Sequence, residues 1–256
     1  MSLEGRVALV TGGGTGIGRA IALAFAKRGI RVAVCGRRES SLNEAVAEIE
    51  TSGGTGLALR ADVTDRAEIE GAVEAVARAW GQLDILVNNA GASGRTPVDS
   101  DDDARWHSIL AANLTGTFYA TRAALRKMGK GGRIVNISSV LGKFGVPGYS
   151  AYCSAKHGVI GFTRSVAMEA AGRGITVNAI CPGWVDTEMS RLGMEEQSAV
   201  MGVPVEEFRG KALKAVPIGR YVLAEEIAAL AIYLVSDEAA GMTGQAVNIC
   251  GGATTN

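Results

Sequence analysis

The feature that most constrains this chain is an alternation of short apolar runs with longer helical repeats, which continues from end to end. The first apolar run, RVALV at residues 6–10, is apolar on both faces, as in a buried parallel strand. Ile21, Ala22 and Phe25 then follow at helical spacing. Parallel neighbours need a crossover of a dozen or more residues, usually a helix. The alternation predicts an α/β fold: a doubly wound parallel sheet of about seven strands with helices on both faces.

The chain of 256 residues is long enough for two average domains, but it has no proline-rich or low-complexity stretch that could serve as a linker. We therefore expect one domain over residues 1–256. Residues 184–217 interrupt the regular alternation with short helical patterns and three methionines. This segment is either ordinary packing or a mobile substrate lid over the active edge.

Charge and apolar runs limit the classes of partner. Lysine and arginine (26) balance aspartate and glutamate (26), so no net field attracts nucleic acid or an anionic membrane. No window reaches about 18 uninterrupted apolar residues, as a spanning helix requires. The four cysteines are widely spaced and the chain has two histidines, which predicts reduced thiols and no metal site. We expect a cytoplasmic protein with a small-molecule partner.

The most unusual local sequences follow directly on predicted strands. Ligands of such sheets bind beyond the carboxyl ends of the strands, where the chain order reverses. These sequences are therefore expected to converge on one edge of the sheet. They are the glycine turn at residues 12–18, Arg37, Asp62, residues 89–91, Ser139 and residues 182–183.

The glycine turn TGGGTGIG, residues 11–18, lies between a buried strand and a helix, where a backbone can approach a pyrophosphate. Its T-G-x-x-x-G-x-G spacing differs from the G-x-G-x-x-G fingerprint, and its glycines could also serve strand–helix packing alone. The second predicted strand, residues 32–35, leads to Gly36, Arg37 and Arg38, with no carboxylate before Glu39. A dinucleotide site with arginine there accommodates a 2′-phosphate, although loop arginines are often only solvated charge.

Several motifs together resemble the classical short-chain dehydrogenases/reductases. They are TGGGTGIG, the turn NNAG at residues 88–91, Asn113, Ser139, Tyr152-x-x-x-Lys156 and Pro182-Gly183, in the family's order and over nearly the whole chain. The stretches SAKHGVIGFTRS, GITVNAICPGW, VPIGRY and GQAVNICGG are especially similar to bacterial polyketide ketoreductases and 3-oxoacyl-carrier-protein reductases. The resemblance implies a single Rossmann-like domain.

The resemblance implies a catalytic role for each of four residues. Tyr152 would exchange a proton with the substrate oxygen, and Lys156, at i+4 on the same helix face, would lower the tyrosine pKa from about 10. Ser139 would hydrogen-bond that oxygen, with Ser138 as the competing serine. Asn113 would hold a kink and a water in its helix and so link Lys156 to solvent.

The resemblance also implies a nicotinamide cofactor, with NADP(H) preferred over NAD(H) because of the two arginines. Asp62 and Val63 would line the adenine, and Asn89 would contact the adenosine ribose. The full expected set is Gly12, Thr15, Gly16, Ile17, Gly18, Arg37, Arg38, Asp62, Val63, Asn89, Ala90, Gly91, Tyr152, Lys156, Pro182, Gly183, Val185 and Thr187.

The implied activity is NADPH-dependent reduction of a polyketide or 3-oxoacyl-type ketone to a secondary alcohol. The substrate is a free small molecule or a carrier-protein or CoA thioester, contacted by Arg95, Trp184, Met189 and Met194. One alternative is a secondary, even aromatic, alcohol dehydrogenase of the same family. Another is a non-catalytic NADP(H)-sensing regulator, which would have little need of Ser139, Tyr152 and Lys156 together. The resemblance further implies a homotetramer, with residues 224–252 between subunits.

Overall fold

The computed structural model describes residues 3–255, so the first two residues and the last residue of the expected domain lie outside the described residues. Seven strands form one sheet in the order β3-β2-β1-β4-β5-β6-β7, and every neighbouring pair is parallel. This confirms the predicted α/β fold. The strands are β1 (Val7–Thr11), β2 (Arg31–Gly36), β3 (Gly56–Arg60), β4 (Ile85–Asn88), β5 (Arg133–Ile137), β6 (Thr176–Pro182) and β7 (Ala246–Ile249).

Helices cover both faces of this sheet. One apolar core joins the sheet to α1, α2 and α9, and the other joins it to α3, α5 and α6. The helices of residues 3–255 are α1 (Gly16–Ala26), α2 (Glu39–Thr51), α3 (Arg66–Trp80), α4 (Asp103–Leu110), α5 (Gly116–Lys127), α6 (Ser150–Ala170), α7 (Glu188–Met201), α8 (Val205–Lys214) and α9 (Ala224–Val235). No helix in this described part is long and apolar enough to cross a membrane.

The chain order reverses between β1 and β4, which are neighbours in the sheet but not in sequence. The hydroxyl of Thr11, the last residue of β1, accepts hydrogen bonds from the backbone N–H groups of Asn89 and Ala90, both at 3.0 Å. The turn after β4 is thereby fixed beside the glycine turn after β1. This is the crevice in which a doubly wound sheet binds its ligand.

A buried polar network crosses the sheet below this crevice. Asn88 on β4 donates to Asn136 on β5 (2.8 Å) and to Thr121 on α5 (2.9 Å), and Asn136 donates to Thr163 on α6 (2.8 Å). Buried polar side chains are costly unless they are hydrogen-bonded to one another. The network therefore fixes the register of β4 against β5 and the positions of α5 and α6 above them.

The N-terminal caps of α2 and α3 can be compared with the caps that the sequence predicts. Asp65 caps α3 as its sequence predicts, accepting from the backbone N–H groups of Ala67 and Glu68. The pattern of serines at residues 40–41 also predicts a cap for α2, and this prediction is wrong. Helix α2 already begins at Glu39, with Arg38 at its N-cap position and no side-chain cap.

Candidate active site

The glycine turn is closely packed and also leaves the start of α1 open to an anion. A Cβ on Gly18 would overlap the carbonyl oxygen of Gly12, and one on Gly13 would lie 2.6 Å from Val34. These two glycines therefore serve packing. Helix α1 starts after Thr15 with no side-chain cap and no acidic residue in its first turn. Its free N–H groups and the helix dipole suit a phosphate group.

Asn89 lies in the crevice but turns its amide towards the protein. Its nitrogen donates to the carbonyl oxygens of Thr11 (3.0 Å) and Gly12 (3.1 Å). A Cβ on Gly12 would come within 2.9 Å of the same nitrogen. Asn89 therefore holds the glycine turn, a role that the sequence does not predict, and its amide nitrogen is committed to those carbonyls. Gly91 follows it at the end of the same turn.

The end of β2 is exposed and basic. Arg37 and Arg38 are both exposed, and the Arg38 guanidinium lies 3.7 Å from the Glu188 carboxylate in the first turn of α7. A Cβ on Gly36 would meet only Leu42, at an ordinary contact distance of 3.6 Å. Space for an acidic side chain is thus present at residue 36, while the chain places cations beside it.

Ser139 and the helix α6 bring together the expected acid–base group. A hydrogen bond with Ser139 lowers the pKa of Tyr152, and the Lys156 ammonium lies 5.5 Å from the centre of the Tyr152 ring. The competing Ser138 instead donates to the Lys156 carbonyl oxygen at 2.9 Å. The structure therefore brings Ser139, and not Ser138, to the tyrosine.

The pKa values of Tyr152 and Lys156 differ from what the sequence leads us to expect. Burial raises the pKa of Tyr152 to about 12, and the opposing effect of the Ser139 hydrogen bond is smaller. Burial also lowers the pKa of Lys156 to about 8. The net shift of the Tyr152 pKa in this state of the protein is thus upward, opposite to the lowering expected from Lys156. The ammonium donates to the carbonyl oxygen of Ile137 (2.9 Å) and faces the ring of Tyr152.

Asn113 lies in a π-helical segment, Ala111–Thr115, between α4 and α5. The helix expected to be kinked at Asn113 is interrupted there by this wider π-helical turn. The Asn113 side-chain nitrogen donates to the carbonyl oxygens of Ala92 (2.7 Å) and Ile109 (2.8 Å). Its Oδ1 is buried and has no hydrogen-bond partner among residues 3–255. A Cβ on Gly91 would overlap this oxygen and would lie 3.7 Å from the Lys156 ammonium.

Other expected cofactor residues lie at the same edge with their side chains differently engaged. Asp62 accepts from the backbone N–H (2.9 Å) and the hydroxyl (2.8 Å) of Thr64, while Val63 and Val185 are buried. Thr187 caps α7. Pro182 ends β6, and the Gly183 N–H donates to the Ile249 carbonyl oxygen at 3.1 Å.

The structure engages two of the four expected substrate contacts with other side chains of the protein. Met194 is 3% exposed, and its sulfur accepts a hydrogen bond from the Tyr221 hydroxyl. This side chain of α7 therefore packs into the protein and does not line an exposed substrate wall. Arg95 donates one hydrogen bond from its guanidinium to the Gln197 side chain on α7, at 3.3 Å. Met189 is 43% exposed and Trp184 is partly buried, so both remain open to a substrate.

Sequence reasoning misses Glu196 on α7, which accepts hydrogen bonds from three other segments. One acidic residue in a helix with several charges gives no local signal of such contacts. The buried pair Asn88 and Asn136 is also missed as a network. A polar residue inside an otherwise apolar strand, as in RIVNI at residues 133–137, is the signal that could have found it.

Comparison with known proteins assigns the chain. The sequence model described as enoyl-(acyl carrier protein) reductase matches residues 12–254. The chain belongs to the short-chain dehydrogenase/reductase family. It is an oxidoreductase of that family, and its fold and its ordered motifs agree with this assignment.

Three relatives define its neighbourhood in the short-chain dehydrogenase/reductase family. The 3-oxoacyl-(acyl-carrier-protein) reductase of Escherichia coli is 41% identical, with 98% of each chain covered. The 2-(S)-hydroxypropyl-CoM dehydrogenase 3 of Xanthobacter autotrophicus is 40% identical, again with 98% of each covered. A solved structure of an actinorhodin polyketide ketoreductase variant with NADPH has a TM-score of 0.93 at 43% identity and covers 97% of each chain.

The pKa of Lys156 generates a pH prediction. We expect NMR titration of lysine ¹³Cε resonances to show one midpoint near pH 8. This resonance should be absent from Lys156→Met. Because the unfolded chain keeps this proton up to about pH 10.5, it binds more protons than the folded chain between these values. Stability supplied by this group therefore rises with pH across that window.

The control for this titration is Lys130→Met, which removes an exposed lysine and should leave the pH 8 midpoint in place. Urea unfolding at pH 7.5 and pH 9.5 checks the sign independently. A Lys156 midpoint above pH 10, or an equal pH slope of stability in the wild type and Lys156→Met, would contradict the prediction.

Proposed function

We propose that this protein is an NADPH-dependent ketoreductase that reduces a polyketide or 3-oxoacyl-type ketone to a secondary alcohol. The observation that carries the proposal is the placement of Ser139, Tyr152 and Lys156 together at the edge that holds the glycine turn. A Rossmann-type sheet alone does not imply catalysis. Together the three side chains supply a proton donor, a hydrogen-bond donor to the substrate oxygen as it gains negative charge, and a buried cation.

The residues present fit a phosphorylated dinucleotide. The uncapped start of α1 suits the pyrophosphate, and the exposed Arg37 and Arg38 suit a 2′-phosphate. Residues 62–63 and 89–91 lie at the same edge for the adenosine half, and Pro182, Gly183 and Thr187 lie there for the nicotinamide half. When bound, the cofactor supplies the hydride.

Tyr152 is in the protonation state that ketone reduction needs. With a pKa of about 12 it carries its proton at neutral pH and can donate it to the substrate oxygen. Ser139 lies beside the tyrosine hydroxyl and can donate a hydrogen bond to the same oxygen as its negative charge develops. After transfer, the negative charge on Tyr152 lies close to the Lys156 ammonium, which favours the phenolate at that stage.

The proton of Tyr152 must then be restored from solvent. Lys156 has a pKa of about 8 and can release and regain a proton near neutral pH. The unpartnered Oδ1 of Asn113 and the Lys156 ammonium both lie beside Gly91. A water between them would satisfy the oxygen and connect the lysine to the bulk. We propose this as the proton path.

Residues 184–217, which contain α7 and α8, are proposed as the substrate lid. Helix α8 has no buried residue, and α7 exposes Met189 and Leu192. A weakly buried segment beside a ligand crevice suits a cover that opens and closes. Trp184 and Met189 are its proposed substrate contacts.

A second candidate is oxidation of a secondary alcohol by the same residues. The 40% identity to a 2-(S)-hydroxypropyl-CoM dehydrogenase favours it, since acid and base exchange roles when the reaction runs backwards. A non-catalytic NADP(H) sensor is disfavoured because it needs no hydrogen bond between Ser139 and Tyr152. Because the same residues catalyse both directions, cofactor preference and substrate profiling separate the first two candidates.

Tyr152→Phe tests the mechanism. We expect the kcat for NADPH-dependent reduction to fall by about 10²–10⁴-fold because the proton donor is lost. The dissociation constant of NADPH, followed by its fluorescence, should stay within about twofold. Substrates are a 3-oxoacyl thioester, a bicyclic ketone and an aryl ketone, with a 2-enoyl thioester for the reaction that the family description names.

Tyr233→Phe is the matched control for this experiment because Tyr233 is 44% exposed on α9. Near-normal kcat in Tyr152→Phe would eliminate the proposed mechanism. Reduction of the 2-enoyl thioester with no reduction of any ketone would eliminate the proposed substrate class.

Gly36→Asp combined with Arg37→Gln tests cofactor preference. We expect the ratio of kcat/KM for NADPH to that for NADH to fall by at least about tenfold, since a hydrogen bond to a charged group contributes about 1.5–3 kcal/mol. The new carboxylate fits, because only Leu42 lies near the added Cβ. The control is Arg164→Gln, an exposed arginine of α6. An unchanged ratio in the double variant would contradict the assignment.

The oligomer is proposed to be a homotetramer. A tetramer with two-fold symmetry uses two different self-complementary surfaces. Strand β7 is an edge of the sheet, and Tyr233 on α9 is exposed, which suits one surface over residues 224–252. Phe118 on α5 meets Phe162 on α6 edge to face at 6.3 Å and suits a second.

Size-exclusion chromatography with light scattering measures the assembly directly. We expect a mass of about four times the 26.4 kDa of one chain. Tyr233→Glu should reduce that mass to the dimer, since it places a charge in one of the two surfaces. A wild-type mass equal to one chain would contradict the proposal.

A further inference from the structure

Glu196, in the third turn of α7, is bonded to three separate segments of the chain. Its Oε1 accepts from the Arg105 guanidinium on α4 at 2.7 Å. Its Oε2 accepts from the backbone N–H of Arg95 at 3.0 Å and from the Tyr149 hydroxyl at 3.5 Å. Both carboxylate oxygens of this one side chain are therefore engaged outside its own helix.

Two glycines make room for the arginines of this cluster. A Cβ on Gly94 would overlap the Arg105 guanidinium, and one on Gly148 would lie 2.7 Å from that of Arg95. Gly94 has a φ of +155° and Gly148 a φ of +78°. An arginine side chain is thus packed against each glycine. This packing limits where the two guanidinium groups can lie when they contact α7.

The cluster is joined directly to the helix that carries Tyr152. Tyr149 is the N-cap residue of α6, three residues before the proposed proton donor. The loop of Arg95 is bonded to the same turn, because the Thr96 N–H donates to the Gly148 carbonyl (2.7 Å) and the Thr96 hydroxyl accepts from the Ala151 N–H (3.0 Å). Glu196 therefore connects α7 to the start of the catalytic helix.

The position of Glu196 on α7 indicates which face of this helix is turned towards Tyr149 and the Arg95 loop. Residues 189, 192, 196 and 200 recur at helical spacing and form one stripe. Met189 and Leu192 on this stripe are 43% and 53% exposed, whereas Met194 on the opposite side is 3% exposed. Because Glu196 points at Tyr149 and the Arg95 loop, the apolar side chains of its stripe point to the same side.

The N-terminal end of α7 lies against the glycine turn. The Thr187 methyl group would lie 3.4 Å from a Cβ on Gly16. From there to Glu196 the helix rises by about 14 Å at 1.5 Å per residue. Helix α7 thus runs from the glycine turn to the start of α6, with Met189 and Leu192 between its two attachments.

We propose that Glu196 is a positioning residue that holds α7 closed across the active edge. Its contacts with Arg105, Arg95 and Tyr149 place Met189 and Leu192 as the apolar wall over the substrate. This inference rests on the proposed ketoreductase function for its kinetic consequence, but its structural part does not. Leu192, at the same helical stripe, takes the place in the wall that the sequence expectation gave to Met194.

The test compares Glu196→Gln with Glu195→Gln, which removes the same charge from the exposed neighbouring position of the helix. Hydrogen–deuterium exchange of the free protein, followed over residues 188–201, reports the attachment of α7. We expect exchange in this segment to be at least about tenfold faster in Glu196→Gln than in Glu195→Gln. Exchange in β4 and β5 should be equal in both variants.

Steady-state kinetics with NADPH and a 3-oxoacyl thioester supply the second measurement. We expect Glu196→Gln to raise the KM of the ketone about tenfold while kcat and the NADPH dissociation constant change less than about threefold. Glu196→Asp, which keeps the charge, should recover part of the KM. A general loss of structure would instead change both kcat and cofactor binding.

The outcomes separate this inference from the proposed function. Equal exchange in Glu196→Gln and Glu195→Gln overturns the role of Glu196, whatever the activity. A wild type with no ketone reduction overturns the proposed function, while the exchange experiment still decides whether Glu196 holds α7. Faster exchange with an unchanged KM overturns the placement of Met189 and Leu192 over the substrate.

Discussion

The Thr11 hydroxyl is the interaction on which the arrangement of this site depends. It lies at the end of β1 and accepts the N–H groups of the first two residues after β4, so two turns far apart in sequence are held side by side. Asn89 returns the contact through its amide nitrogen to the carbonyls of the glycine turn. The crevice is therefore preorganised by hydrogen bonds within the protein, and a dinucleotide meets a turn whose shape is already fixed.

Burial sets the acid–base character of the catalytic group more strongly than the neighbouring charge does. It raises the pKa of Tyr152 to about 12 and lowers that of Lys156 to about 8, so each group is shifted towards its neutral form, while Lys156 is still mostly charged at neutral pH. A substrate oxygen that gains negative charge changes this balance, because the ammonium then has an anion to stabilise. In the proposed mechanism, Tyr152 donates a proton to the ketone oxygen, and Ser139 donates a hydrogen bond to the same oxygen.

The sequence allows the order of strands and helices and the edge of the sheet that holds the site to be predicted, because glycine turns and polar residues after apolar runs are local signals. Side-chain directions on α7 could not be predicted in this way. The sequence does not distinguish Met194 from Met189. The rotation of α7, which Glu196 fixes through its three distant partners, buries Met194 and exposes Met189. Likewise, the spacing of Tyr152 and Lys156 predicts their shared face, but the turn of the ammonium towards Ile137 depends on the fold around it.

The π-helical segment at Asn113 separates two functions that one continuous helix would combine. A regular helix from α4 to α5 would repeat every 3.6 residues and could align its faces with one neighbour only. The wider turn contains an extra residue and changes the rotation between the two parts. Helix α5 can thus pack on α3 and the sheet, while α4 turns Arg105 towards α7 and Asn113 towards Ala92. The same wide turn also leaves a polar oxygen, Asn113 Oδ1, buried beside the Lys156 ammonium with no hydrogen-bond partner among residues 3–255.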